Sequence, residues 1–268
     1  MLELNGVEFN FFLRGPILES VALGEVLAAL EARPNLGLTH FGWDERKRVA
    51  FSRSDACAQI GTNKSKLFLW HRGMETDPAM IELGAENPLW AQFSFVFGEQ
   101  TLSVSKVIPD YLAIISALRP VSGSLIPIFD WNAATALYPE TVAQLRTTYC
   151  PRAPAYVQRL GVGQMGHGTY LDEALAASIG QDVLAELGCI REGDGYIAGI
   201  PTEKSMNDLG EVLRFRARSQ LVMKAHGIAG RMGQTLHDPS YFGPNWSAPR
   251  LWTRRTGVID RRIVGPNV

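Results

Sequence analysis

Two rhythms of apolar and polar residues run through this chain, one of period two and one of three to four, and they set out its strands and helices. Leu2 to Leu13 is dense in aromatic and aliphatic side chains and breaks at Arg14-Gly15-Pro16, the pattern of a strand closed by a turn. From Pro16 to Arg33 the spacing changes, and Ile17, Val21, Leu23, Val26, Leu27 and Leu30 recur at three- and four-residue intervals, which predicts a helix. Pro16 suits its first turn and Pro34-Asn35 stops it. Short apolar runs then predict strands at Leu36–Trp43, Val49–Ser52, Lys66–His71, Trp90–Gly98 and Thr101–Val107. Phe97 to Thr101 has the make-up of a hairpin turn, with Gly98 able to take a positive φ. Pro109–Leu118 and Pro139–Tyr149 read as helices, each opening on a proline.

The last third carries plainer end signals. Ser178-x-x-Gln181 ahead of Val183, Leu184 and Leu187 has the form of a capping box, and Gly188 stands where a left-handed C-terminal residue belongs. Ser205-x-x-Asp208 resembles a second box, leading the four-spaced series Leu209, Leu213, Ala217 and Leu221. The turn Glu192-Gly193-Asp194-Gly195 predicts a strand from Tyr196 to Ile200. Between Cys150 and Gly168, Pro151 and Pro154 followed by Gly161, Gly163, Gly166 and Gly168 mark a seam. The fold class that follows is α+β, with mixed or antiparallel sheets and packed helices. The seam divides it into an N-terminal α+β domain over 1–150 and a C-terminal α+β domain over 151–268 that ends in a basic, aromatic tail. Val26-Leu27-Ala28-Ala29-Leu30 and Val183-Leu184-Ala185-Glu186-Leu187 echo one another, each ahead of a strand. Two related α/β halves, or a chance likeness of helical composition, would both produce that echo.

Composition narrows the class of protein without naming its work. With 268 residues, 46% hydrophobic and 20% charged, the chain can bury roughly 70 to 75% of its unfolded surface and needs no metal or disulfide staple. The first twenty residues interrupt their apolar run with Glu3, Glu8 and Arg14, unlike a secretion signal. No uncharged apolar stretch approaches the roughly 18 to 20 residues that cross a bilayer. A cytoplasmic location is therefore expected. Cys57, Cys150 and Cys189 are far apart, without the paired spacing of a zinc site. Cys189 follows a predicted helix C-terminus, where the dipole disfavours a thiolate.

Known chemical signatures find little support. Gly161-Val162-Gly163-Gln164-Met165-Gly166 satisfies GxGxxG, but the residues before it, Arg152 to Leu160, are no clean hydrophobic strand, and the glycines lead into Thr169-Tyr170-Leu171 rather than a helix. His40, His71, His167, His226 and His237 show neither HxH nor HExxH spacing. Pro109-Asp110 and Glu45-Arg46-Lys47 hold pieces of a nuclease metal site in reverse order and sixty-odd residues apart. No catalytic set, cofactor site or metal site is expected. Were a site assembled from scattered residues, His167, His237, Asp238 and Cys189 would be its first candidates.

Charge sorting says more than the net charge of −1. Met165 to Val212 holds nine carboxylates (Asp172, Glu173, Asp182, Glu186, Glu192, Asp194, Glu203, Asp208 and Glu211) against Arg191 and Lys204, a balance of −7. Leu213 to Val268 holds ten cations against Asp238 and Asp260, a balance of +8. Acidic stretches can face a basic partner, where complementary potential speeds encounter; alternatively, the two blocks neutralise each other across the fold or simply solvate it. Trp246, Trp252 and the arginines 250, 254, 255, 261 and 262 suit stacking on nucleic-acid bases or anchoring a protein interface, and without a nucleic-acid module the second is preferred.

The succession FNFFLRG, LEARPN, GWDERKRVAFS, KLFLWHRG, WAQFSFVFGE and AELGCIREGDGYIAGIP resembles the order of elements in the Imm52 family of bacterial immunity proteins. The resemblance rests on arrangement and aromatic placement over most of the chain. It implies an α+β protein that binds and neutralises a cognate antibacterial toxin, a DNase effector of type VI secretion with a restriction-endonuclease-like Tox-REase-5 domain, and so protects the producing cell and its siblings. A non-enzymatic partner-binding protein is accordingly expected, with Asp172, Glu173, Asp182, Glu186, Glu192 and Asp194 as the contact residues. An enzyme of scattered site residues and a secretion-system adaptor are the alternatives.

Overall fold

The computed structural model describes residues 4–13, 20–33, 35–44, 46–60, 66–71, 74–82, 104–129 and 165–228. Strand β1 (Leu4–Phe12), helix α1 (Ser20–Glu31), β2 (Leu38–Asp44), β3 (Lys47–Ala50), α2 (Arg53–Ala58), β4 (Lys66–His71), β5 (Met74–Glu82), α3 (Val104–Leu118) and β6 (Ser122–Phe129) form the first part. After residue 164 come β7 (Thr169–Asp172), α4 (Glu173–Ile179), α5 (Gln181–Glu186), β8 (Ile190–Glu192), β9 (Gly195–Ala198), α6 (Glu203–Asn207) and α7 (Leu209–Ala225). The class is mixed α+β. A five-stranded sheet runs β1-β6-β7-β9-β8 and a four-stranded sheet runs β3-β2-β4-β5, with every neighbouring pair antiparallel.

Side-chain alternation places a core on each face of the five-stranded sheet. Val7, Phe9 and Phe11 of β1, Leu125 of β6, Tyr170 of β7 and Ile197 of β9 join Leu23, Leu27 and Leu30 of α1 and Tyr111, Ile114 and Ile115 of α3. Phe41, Leu67, Leu69, Ala79 and Ile81 of the second sheet enter the same cluster. The alternate positions Leu171 and Ala198, with Val121, pack on Leu175, Ile179, Val183, Leu184, Val222 and Met223 of α4, α5 and α7. Period-two inversion at each strand residue makes one sheet serve two cores. The expected boundary at residue 150 falls outside the described residues; the five-stranded sheet draws β1 and β6 from one side of it and β7, β9 and β8 from the other. The two echoed helices differ in setting. α1 is followed by a strand pair that joins the second sheet, whereas the pair after α5 joins the sheet that already holds β7.

Several expected boundaries move, each for a physical reason. Val104 to Val107, expected in a strand, form the first turn of α3, and Pro109 sits inside that helix rather than opening it. Its ring removes one backbone donor, a loss offset here by the burial of Val107, Tyr111, Ile114 and Ile115 along one face. The helix expected from the Ser178 cap onward begins instead after Gly180, at φ 97°, as α5, and Ser178 lies inside the preceding helix α4. Ser178 therefore caps nothing, and its hydroxyl donates to the Ala174 carbonyl at 3.1 Å. Ser205 and Asp208 cap different helices. Thr202 and Ser205 form the capping box of α6, while the Asp208 carboxylate accepts from Glu211 N–H at 3.2 Å at the start of α7.

On α7 the four-spaced series also drifts, because each step of four advances 400°, 40° beyond a full turn. Leu209 is buried but Leu221, three steps on, is 67% exposed; Val212, Arg216, Ser219, Val222 and Met223 form the inward face instead. Strands β5 and β6, unmarked in the sequence pattern, each contain a proline, Pro78 and Pro127. β5 lies at a sheet edge, and Pro127 lies past the short pairing of β6 with β7 at Ser122 and Gly123, so neither has to donate to a second neighbour. Trp90–Gly98, its hairpin turn, Pro139–Tyr149 and most of the 150–168 seam lie outside the described residues.

Candidate partner-binding edge

The end of the five-stranded sheet is built by a tight hairpin. Glu192 pairs with Gly195, leaving Gly193-Asp194 as a two-residue turn in which Gly193 takes φ 56°. Gly195 pairs on its other side with Asp172. Glu192, Gly195 and Asp172 thus form one row across three strands, which puts the Glu192 and Asp172 backbones about 10 Å apart. A side chain at Gly195 would meet the Leu171 carbonyl and the Tyr170 hydroxyl, so the ring of Tyr170 occupies the space over that glycine.

The six expected contact carboxylates fall into three groups. Asp172 is 3% exposed and serves the fold, its Oδ1 accepting the Leu175 N–H at 2.7 Å as the N-cap of α4. Glu186 and Asp194 face solvent, each beside a basic side chain. Glu186 lies 2.9 Å from His226 Nε2 and Asp194 lies 3.1 Å from Arg119. Glu173 and Asp182 are exposed and Glu192 is half-exposed, and none of the three has an ion-pair partner among the described residues. Glu173 stands beside the row at the start of α4, and Asp182 in the first turn of α5.

Arg119 was not legible as part of this site, for it comes from the far end of α3, 75 residues before its partner. It is the one described non-glycine residue with positive φ, at 44°, and its N–H closes α3 on the Ile115 carbonyl at 2.8 Å. The basic half supplies other partners. Arg214 lies 2.8 Å from Glu211 and 3.8 Å from Asp208, and Arg218 donates to the Glu186 carbonyl at 3.0 Å.

Of the residues that a scattered enzyme site would use, two are described, His167 and Cys189. His237 and Asp238 lie outside the described residues. His167 is buried against Phe215 of α7, with ring centroids 4.3 Å apart. Cys189 follows α5 directly: its N–H reaches the Leu184 carbonyl and that of Gly188 the Ala185 carbonyl, a Schellman closure with Gly188 at φ 66°. Burial there pushes its thiol up to about 11. Asp110, from the nuclease-like pair, is buried in α3 and accepts the Asn35 amide at 2.8 Å. Among the described residues no three His, Cys, Asp or Glu side chains gather as a metal-binding group, and no helix is long and apolar enough to cross a membrane.

No family model matches the chain, and no curated protein matches it. Among solved structures it is similar to the Pseudomonas aeruginosa T6SS protein PA0821, at 15% identity and a TM-score of 0.45, over 98% of this chain and 84% of that one.

Proposed function

We propose that this chain is an immunity protein of the Imm52 kind, which binds and neutralises a cognate antibacterial toxin in the cytoplasm of the producing cell. The toxin is a type VI secretion DNase effector with a restriction-endonuclease-like domain. The observation that carries the reading is the placement of Glu173, Asp182 and Glu192: carboxylates with no ion-pair partner among the described residues, held on helix starts and a two-residue hairpin rather than on long loops. A DNA-cleaving toxin must present cationic side chains to phosphates. An acidic edge of fixed geometry offers such a surface a competing partner and raises its encounter rate. An inhibitor of this type needs shape and charge, with about 1,600 Å² buried in total and a few anchors, and no reactive groups of its own.

The test is co-expression with the toxin encoded by the neighbouring gene. Rescue of growth and co-purification that weakens with added salt are expected. Charge reversal at Glu173, Asp182 and Glu192 together should abolish co-purification while leaving the folded protein intact. Asp172 must be left unchanged, because its removal attacks the helix rather than the surface. Full rescue by the triple variant would discard this edge as the contact. A neighbouring gene whose product is a metabolic enzyme, with no growth defect to rescue, would discard the immunity role and favour a catalytic one.

A further inference from the structure

Residues 165–168 form a clasp between α7 and the five-stranded sheet. At one end the Ser219 hydroxyl accepts from Met165 N–H at 3.1 Å and lies 2.9 Å from the Met165 carbonyl oxygen. At the other, Gly168 N–H donates to the Ala198 and Gly199 carbonyls at 3.0 and 2.8 Å, and the Gly168 carbonyl accepts the Tyr111 hydroxyl at 2.6 Å. His167 lies between these anchors, 9% exposed, its ring stacked on Phe215 at 29°. Neither ring nitrogen meets a hydrogen-bond partner among the described residues. Nδ1 lies against the Gly199 backbone, where an added Cβ would stand 2.7 Å from it.

We propose that His167 is an acid-operated latch: a proton taken up by its ring unseats it from Phe215 and loosens the 165–168 clasp from α7 while both sheets stay folded. A neutral imidazole tolerates this apolar slot, whereas an imidazolium there would be a charge held out of water, with the Gly199 backbone as its neighbouring acceptor. Burial lowers the affinity of the ring for a proton below the ordinary value of 6.5, and this outweighs the opposing pulls of Glu211 and the Gly199 backbone. Glu211, one turn before Phe215 on α7, is itself 2.8 Å from Arg214, so part of its charge is already answered. Beside the ring, the neighbouring Gly168 packs on the apolar Leu125 of β6 and Pro201 after β9, and its carbonyl engages the Tyr111 hydroxyl of α3. Because the folded state binds the proton less well than the unfolded chain, the latch is fully closed above about 6.5. Its contribution falls as pH drops below that value toward the lowered folded one.

Nuclear magnetic resonance of the full chain with labelled histidine tests this directly, together with hydrogen-exchange protection at pH 7.5 and pH 5, corrected for intrinsic exchange. His167 should titrate below 6.5, and protection of the Met165 amide, bonded to Ser219 of α7, should fall at least tenfold while the Gly168 and β1–β6 amides keep theirs. His167→Phe, which retains a ring on Phe215 without a titrating nitrogen, should hold the clasp closed at both pH values. The Phe215 ring also attracts a cation. A His167 titration at or above 6.5 would mean that this attraction wins, and the latch is then wrong. An equal loss of protection in His167→Phe, or loss spread over the β1–β6 amides, overturns it as well. If that variant does not fold, the titration and protection of the unaltered protein decide the matter.

Discussion

Removing the Asp172 carboxylate separates a structural acid from the surface acids beside it. In Asp172→Ala the Leu175 N–H loses an acceptor at 2.7 Å, and Leu175 is 1% exposed, so water has little access to replace it. Loss of an N-cap costs about 0.5–2 kcal/mol, and a buried donor left unsatisfied costs roughly 1–3 kcal/mol. These describe one event and are counted once, which places the expected loss near 2 kcal/mol. The helix cannot retreat from the damage, since α4 is seven residues long and ends at once on Gly180. For a chain of this size about 2 kcal/mol corresponds to a fall in Tm of roughly 4–8 °C. Asp172→Asn keeps an acceptor and should lose less than ~0.5 kcal/mol. Glu173→Ala, one residue on and exposed, should also stay within about 0.5 kcal/mol. Urea unfolding with an unchanged m-value measures all three. An Asp172→Ala midpoint indistinguishable from the parent, or an Asn variant as damaged as the Ala variant, would refute the capping role.

Gly195→Ala places a methyl group against the Leu171 carbonyl and 2.5 Å from the Tyr170 hydroxyl, and should cost about 1–3 kcal/mol by the same unfolding measurement; an unchanged midpoint would show that β9 can move aside. Cys189, its thiol raised from 9.0 to about 11, should react with iodoacetamide at pH 8 about 100-fold more slowly than an unperturbed thiol, one decade per unit of pKa; a variant with Cys57 and Cys150 replaced by serine isolates it, and reaction at the ordinary rate would contradict its burial. Arg119→Gly trades an exposed ion pair, with side chains 74% and 63% accessible, for relief of a left-handed residue. A pair that exposed is worth about 0–1 kcal/mol and the conformation costs roughly 1–2 kcal/mol, so the unfolding midpoint should hold or rise slightly; a marked fall would show that the bridge to Asp194 does more than its exposure implies.

What the sequence made legible was the structure fixed by neighbours along the chain. β4 begins and ends at Lys66 and His71 as the apolar run does, α1 stops before Pro34, Gly188 takes its left-handed turn, and Gly193 bends the β8–β9 hairpin. What it did not show was decided by distant contacts. Nothing local announces that Pro109 belongs inside a helix; the burial of Tyr111, whose ring stacks 5.4 Å from Phe11 and whose hydroxyl reaches Gly168, overrides the local signal. Ser178 and Gln181 have the spacing of a capping box, yet Asp172 caps first and Gly180 breaks the run, because Leu175, Ile179, Val183 and Leu184 all enter one core and a straight helix would carry some of them away from it. Periodicity placed α7 but not its face, since a four-residue repeat leaves the core after two turns.

The charge sorting shows the same division at the level of function. Counted along the chain, the −7 and +8 blocks face each other as wholes. Among the described residues the pairing is selective: Arg214 takes Asp208 and Glu211, Arg119 crosses from the first part of the chain to take Asp194, and Glu186 lies beside the His226 ring. That pairing falls on carboxylates at the start of α7 and in the β8–β9 turn, and the bonds of Arg214 are local to its own helix. Glu173, Asp182 and Glu192 have no ion-pair partner among the described residues. Exposed pairs of this kind contribute little to stability, so their distribution matters more for what the surface presents than for how firmly it folds. A partner that reads the edge by charge should then be insensitive to reversal at Glu186 and sensitive to reversal at Glu173, Asp182 and Glu192. Equal sensitivity at Glu186 and Glu192, measured as co-purification at fixed salt, would show that the internal pairs open on binding and that the division between them does not govern recognition.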